Sequence, residues 1–153
     1  MYLVLHPIHL SFMWATLILG LGLASIIINY LADKQRLIAR ATQGECKVWG
    51  KKPVTVLARY ETTEGDKKQT ILLASGWWGI ARHFHYIPEL AGTFFWSVPA
   101  LFTHFAPYFY LCFLTVLLFD RAFRDDKRCS AKYGNDWKKY CELVPYKIVP
   151  LVI

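Results

Sequence analysis

The chain has 153 residues, 55% of them apolar, 16% aromatic and only 19% charged, with a net charge of +7. Those proportions exclude collagen-like, intrinsically disordered and disulfide-scaffold chains, and the mean hydropathy of +0.26 favours a membrane protein over a soluble enzyme. The charge lies in two blocks: residues 33–70 carry nine basic and five acidic side chains, residues 120–153 carry eight and five, and 71–119 holds only Arg82 and Glu89. A nucleic-acid reader shows one continuous basic face, so no nucleic-acid partner is expected. Cys46, Cys112, Cys129 and Cys141 include no CxxC pair, which leaves no support for a metal site and suits reduced thiols facing the cytosol.

In chain order, His6 and His9 straddle Pro7 and read as interfacial rather than as ligands. Residues 10–32 are free of charge and predict a transmembrane helix, with Gly20 and Gly22 permitting close helix packing. The basic block that follows marks its side as cytoplasmic, and Arg36 and Arg40 share one face if the helix continues. Residues 33–89 are expected to be cytoplasmic or interfacial. Within them Val54–Tyr60 and Gln69–Leu73, flanking Glu64-Gly65-Asp66, predict a small β-hairpin serving as scaffold.

Residues 90–119 form a second uncharged run, interrupted by Pro99 and Pro107. Basic blocks on both flanks require an even number of crossings, so a membrane helical hairpin is expected, with helices over roughly 88–102 and 107–122. A single kinked span is the alternative. The remainder, 120–153, reads as a cytoplasmic tail in which Arg121, Arg124, Arg128 and Lys132 make a basic stripe at helical spacing. Asp125, Cys129, Tyr133 and Tyr140 mark a neighbouring stripe, with a helix break at Gly134. The fold class is therefore all-α, with polytopic transmembrane helices and a small cytoplasmic β-hairpin.

Two segments carry the chemistry. Ser75–Tyr86 combines a glycine-flanked Trp77-Trp78 pair with Arg82, His83, His85 and Tyr86. A flat aromatic ligand such as nicotinamide or adenine would stack there, with Arg82 or a histidine on a phosphate or carboxamide. The same composition also describes an interfacial aromatic belt. In the block Arg124–Tyr140, the basic stripe suits the phosphates of a dinucleotide, although juxtamembrane cations often only lie on anionic headgroups. Asp125, Asp126 and Asp136 weigh against that second reading. With no GxGxxG or GxxxxGK[ST], a nucleotide site here is neither Rossmann nor P-loop.

The run Arg124-Asp125-x3-Cys129-x2-Lys132-Tyr133-Gly134-x-Asp136-Trp137-x2-Tyr140 resembles the C-terminal signature of the sterol reductase family, and Ser75–Tyr86 resembles its companion motif. Ala81-Arg82-His83-Phe84, the opening Tyr2-Leu-Val-x-His6-Pro7 and Cys46-x-Val-Trp49-Gly50 agree with the delta-7 branch. The resemblance covers the whole chain but only about the C-terminal third of such an enzyme. The family's further helices and an upstream Asn-Pro-Arg run are missing.

The resemblance implies NADPH-dependent reduction of the sterol B-ring 7,8 double bond: protonation of the alkene, then hydride transfer to the resulting carbocation. It implies a sterol substrate, a multi-pass protein of the endoplasmic reticulum membrane (the inner membrane in a bacterium), and the missing helices or another membrane chain as partner. Carried over position by position, cofactor contacts fall on Arg36, Arg40, Leu73, Trp78, His85, Tyr86, Asp125, Cys129, Ser130, Ala131, Lys132, Tyr133 and Tyr140. No residue is marked as the proton donor. His85 stands where vertebrate delta-7 enzymes have asparagine, and Arg36 where they have lysine. Two other readings are a truncated, non-catalytic relative that binds nucleotide or partner helices, and an isoprenylcysteine-type membrane methyltransferase. Phe84 occupies the proline position of the methyltransferase motif Arg-His-Pro-x-Tyr.

Overall fold

A computed structural model describes residues 7–62 and 65–151. The Tyr2 to His6 part of the opening pattern and Glu64 of the hairpin turn lie outside the described residues.

The first charge-free run lies in α1, Phe12–Ala41, a helix of 30 residues. It continues through the basic block because Lys34, Gln35, Arg36, Leu37 and Arg40 are all good helix formers. It stops where Gly44, at φ +84°, donates its N–H to Ala39 O at 2.9 Å, the 6→1 bond of a Schellman-type ending. Most large apolar side chains of α1, among them Leu17, Leu19, Leu23, Ile26 and Ile27, are exposed. Residues this apolar, left uncovered by the rest of the chain, suit a hydrocarbon surround.

Two short segments fold back on α1. The single turn α2, Trp77–Ile80, is fixed to it by Trp78 Nε1 donating to Ala32 O at 2.7 Å and by Trp77 N–H donating to Gln35 Oε1 at 3.0 Å. Gly76, at φ +62°, precedes it, and a Cβ there would collide with the Gln35 amide. Helix α3, Tyr86–Ser97, runs antiparallel to α1. A Cβ on Gly22 would sit 3.6 Å from Phe95 Cβ, and one on Gly92 would sit 3.7 Å from Ser25 Cβ, so small residues bring the two backbones together. Gly22 serves this seam; Gly20 has nothing near it.

Pro99 lies in the 3₁₀ turn Val98–Ala100 that ends α3, and Leu101 and Phe102, both at positive φ, reverse the chain. A second 3₁₀ turn, Ala106–Tyr108, leads into α4, Phe109–Tyr133. The expected break between helices is therefore present, but the lengths differ from expectation. At 12 residues α3 reaches only about 18 Å, less than a hydrocarbon core of about 30 Å. Helix α4 continues well past the expected end at 122, because Asp120–Arg124 (2.8 Å) and Arg121–Asp125 (4.0 Å) are helix-stabilising i,i+4 pairs across that boundary. Gly134, at φ +54°, separates α4 from α5, Asn135–Leu143, at the expected place.

Among the described residues the sheet is a two-stranded antiparallel hairpin, β1 Thr55–Glu61 and β2 Lys67–Leu73, in register Thr55↔Leu73 to Glu61↔Lys67. A hairpin alone is marginal in water. This one is held by burying Ala58 and Leu72 against Trp137, Tyr140 and Val144 around α5. The C-terminal segment then returns: Arg82 and His83 donate their N–H groups to Tyr146 O (2.9 Å) and Lys147 O (2.8 Å), and Ile148 is buried against Tyr86, Leu114 and Leu118. The chain is mostly helical with this one small sheet, and α1 and the segment Ala106–Tyr133 are long and apolar enough to cross a membrane.

Because α3 and α4 form a hairpin, both charged blocks arrive at the same end of the molecule. Single cysteines replacing Lys67 and Lys138, in a chain whose four native cysteines are serine, are expected to react with an impermeant maleimide from the same side of a vesicle. Labelling from opposite sides would replace the hairpin by one crossing.

Candidate functional site

At the charged end, five segments surround a cavity of about 450 Å³. The last turns of α1 contribute Arg36 and Arg40, β2 contributes Leu72 and Leu73, and the α2–α3 segment contributes Trp78, Arg82, His83, His85 and Tyr86. Helix α4 adds Arg121, Asp125, Arg128, Cys129, Lys132 and Tyr133, and α5 adds Trp137 and Tyr140. The α4 residues line it together because their spacing keeps them on adjoining faces of one helix. Six cations face the cavity against one carboxylate, Asp125, so it is strongly electropositive.

The aromatic groups are arranged by stacking. The Arg36 guanidinium lies 4.2 Å from the Trp78 ring centroid, with its Nη2 also 3.1 Å from Asp33 Oδ1. His85 sits 5.1 Å from Trp78 and 4.3 Å from Tyr86, and His83 stacks on the opposite side of the cluster, 5.1 Å from Tyr86 at 10°. Behind the wall, Asp126 accepts from Trp137 Nε1 at 3.2 Å and lies 3.3 Å from Lys147 Nζ and 3.8 Å from Arg82 Nη2. Arg82 is 7% exposed. Arg82 Nε and His85 Nδ1 are buried and have no hydrogen-bond partner among the described residues. In a folded protein such groups call for a partner.

Burial, reinforced by Arg36, His83 and Arg121, pushes His85 down to about 3, so it is a neutral imidazole at physiological pH. Burial lowers His83 as well. The Tyr140 phenol is pushed up by burial to about 12 and burial also raises Tyr86, so both keep their protons and can serve as hydrogen-bond donors.

On the other side of the first turn of α3 lies an apolar groove of about 920 Å³ between α1, α3 and the start of α4, lined by Leu19, Ile26, Phe95 and Trp96 with Asn29 and Glu89 among them. Tyr86 faces the polar cavity while Pro88 and Glu89 face the groove, so two residues of α3 separate the two spaces.

Of the residues singled out from sequence, Arg36, Arg40, Leu73, Trp78, His85, Tyr86, Asp125, Cys129, Lys132, Tyr133 and Tyr140 line the polar cavity. Ser130 is exposed and does not, and Ala131 lines a separate groove between α4 and the hairpin. Arg124 faces away, paired with Asp120. The β-hairpin is more than scaffold, since Leu72 and Leu73 form part of the wall. Arg121 and Arg128 of the basic stripe, which the resemblance does not mark as cofactor contacts, also line the cavity. No local pattern marks Leu72, which enters through tertiary packing, and Trp137 belongs to the quoted signature run although the resemblance does not place it among the cofactor contacts. All the described cysteines are free thiols, and no group of three or more His, Cys, Asp or Glu side chains gathers among the described residues.

The depressed histidine fixes a pH dependence. A folded value near 3 against an ordinary 6.5 means the unfolded chain binds the proton more readily. Stability contributed at His85 is therefore full above about 6.5 and declines as pH falls toward 3. The melting temperature in detergent is expected to fall across that window, and less steeply in His85→Asn. Equal slopes for both proteins would show that His85 does not carry the effect.

The family model described as "Ergosterol biosynthesis ERG4/ERG24 family" matches residues 1–153. The chain is 57% identical over 150 residues to a protein of Arabidopsis thaliana named 7-dehydrocholesterol reductase, covering 98% of this chain and 35% of that protein. The Xenopus laevis protein of the same name is 41% identical over 150 residues, covering 98% and 32%. The Delta(14)-sterol reductase erg24 of Schizosaccharomyces pombe is 38% identical over 151 residues, covering 99% and 33%. The chain thus spans about a third of the length of these curated relatives. With its whole length matched, and with the signature residues of α4 and α5 gathered at one cavity, the chain belongs to the ergosterol biosynthesis ERG4/ERG24 family of sterol reductases.

Proposed function

We propose that this chain forms the NADPH-binding part of a sterol reductase that saturates the B-ring 7,8 double bond. The observation that carries this reading is the convergence of the family's signature residues, from segments far apart in sequence, on one cation-rich cavity beside an apolar groove. The relatives named 7-dehydrocholesterol reductase and the Ala81-Arg82-His83-Phe84 sequence favour the 7,8 bond over the 14,15 bond. The surrounding arrangement belongs to the same proposal: residues 10–32 and the hairpin of residues 90–119 within the endoplasmic reticulum membrane, 33–89 and 120–153 on its cytosolic side, and further helices completing the sterol cavity.

The residues suit the cofactor. A dinucleotide phosphate is polyanionic, and six cations face the cavity. Two buried nitrogens at the site have no hydrogen-bond partner among the described residues: Arg82 Nε–H can donate to a ligand oxygen, and His85 Nδ1 can donate or accept according to its tautomer. Arg36 and Arg40 on α1, with Arg121 and Arg128 on α4, would hold phosphates from two sides. Trp78, capped by Arg36, offers a flat face for an aromatic ring. Neutral His85 can serve a carboxamide without adding charge beside it, and the phenols of Tyr86 and Tyr140 donate to ribose or amide oxygens. When bound, NADPH supplies a hydride. The protein's part is to hold the reacting carbon of the cofactor against a sterol lying in the groove, the first turn of α3 bordering both spaces, and to exclude water with the aromatic wall.

The purified chain in detergent is expected to bind NADPH, and Arg36→Gln is expected to weaken binding by about tenfold or more, the scale of a charge-assisted contact. Asp125→Ala and Tyr140→Phe should weaken it less. Assay of 7-dehydrocholesterol reduction by the same sample separates a working reductase from a cofactor half-site that needs the remaining helices. A chain that binds no NADPH under any condition would defeat the cofactor assignment.

A further inference from the structure

Next to the cavity, and sharing Lys132 and Tyr133 with it, lies a second groove of about 780 Å³ between the C-terminal end of α4 and the β-hairpin. Its walls are Arg59, Tyr60 and Glu61 of β1, Lys67, Lys68 and Gln69 of β2, and Ala131 to Gly134. In the hairpin register Tyr60 stands opposite Lys68, and adjacent cross-strand partners share a sheet face. That face is the one turned to the helices, since Ala58, two residues along β1, is buried against Trp137. The Lys132 ammonium lies 3.9 Å from the Tyr60 ring centroid and 5.3 Å from that of Tyr133, and the two rings meet edge to face at 5.6 Å. Arg59, Lys67, Lys68 and Lys132 form no ion pair with a carboxylate among the described residues, although Glu61 shares the groove. The groove therefore combines cations without carboxylate partners and an aromatic pair, the chemistry that takes a phosphorylated purine nucleoside.

Size argues the same way. The first cavity, about 450 Å³, is of the scale that takes one drug-sized ligand, whereas a dinucleotide is two nucleotides joined end to end. Ala131, one residue before the shared Lys132, lines the second space and not the first. Resting on the cofactor reading above, we propose that this groove holds the 2′-phosphoadenosine end of the cofactor. Lys68 meets the 2′-phosphate, Tyr60 stacks on adenine, and Lys132 bridges the two spaces. The groove is thus the element that selects NADPH over NADH.

The test uses the full chain in detergent and the ligands NADPH, NADH and 2′,5′-ADP, the last carrying only the adenosine end. Lys68→Gln, at an exposed position, and the pair Lys67→Gln/Lys68→Gln are expected to weaken NADPH and 2′,5′-ADP by about tenfold. NADH affinity should change by less than about twofold, on the ground that no charged contact is lost. Parallel loss of NADPH and NADH, or no loss of either, would overturn the assignment. So would inorganic phosphate competing with 2′,5′-ADP as well as unlabelled 2′,5′-ADP does, because the groove would then be a bare anion site. A wild-type chain that binds neither dinucleotide defeats the cofactor reading itself. In that case 2′,5′-ADP decides the groove alone: binding weakened by Lys68→Gln supports it, and absence of binding overturns it.

Discussion

The carboxylate of Asp126 joins four segments that are far apart in sequence. Carried on α4, it receives the indole N–H of Trp137 from α5, faces Lys147 from the C-terminal return, and lies nearest to the buried guanidinium of Arg82 from the α2–α3 segment. A guanidinium that is 7% exposed is costly to bury without an opposite charge, so Arg82 keeps its place only while Asp126 keeps its own. The cavity wall follows from this arrangement. Arg82 N–H and His83 N–H pair with the return segment, which sets the direction of His83, His85 and Tyr86, while the Trp137 indole closes the floor beside Tyr140. Asp125, the next residue on α4, is left free to face the cavity.

Much of this could be read from the sequence, for reasons that are local. A charge-free run as long as 10–32 can be satisfied only as helix, Gly134 breaks a helix wherever it falls, and alternating β-prone residues on either side of Gly65-Asp66 make a hairpin. What stayed hidden depended on distance. The length of α4 was underestimated because the change from apolar to charged sequence near Asp120 looked like a boundary, whereas a helix crosses such a change freely when its charges pair at i,i+4. The cavity residue Leu72 carries no chemical signature, and only the packing of the hairpin against α5 brings it to the wall beside Trp137. Resemblance marks the run from Cys129 to Tyr133 as a block, but a helix turns 100° per residue, so the run is divided: Cys129, Lys132 and Tyr133 on the first cavity, Ala131 on the neighbouring groove, Ser130 in solvent.

The position of the two large spaces gives the fold its functional logic. An electropositive cavity and an apolar groove are incompatible environments, yet the proposed reaction between a polyanionic cofactor and a sterol requires them to meet. The first turn of α3 borders both, with Tyr86 lining the cavity and Pro88 the groove. The neutral state of His85 fits that location, since a protonated imidazole there would add to the cations already facing it.

The seam between α1 and α3 differs in kind from everything at the charged end. In the proposed membrane setting Gly22, Ser25 and Gly92 gain nothing from leaving water, so the seam there rests on close van der Waals fit. The cluster of Ala58, Leu72, Trp137 and Val144, by contrast, rests on exclusion of water. Urea and guanidinium act on the second and scarcely on the first, while a detergent that intercalates between helices acts on the first. Unfolding by the two agents would therefore begin at opposite ends of the molecule, and neither transition is a single cooperative step from which one free energy of folding could be taken.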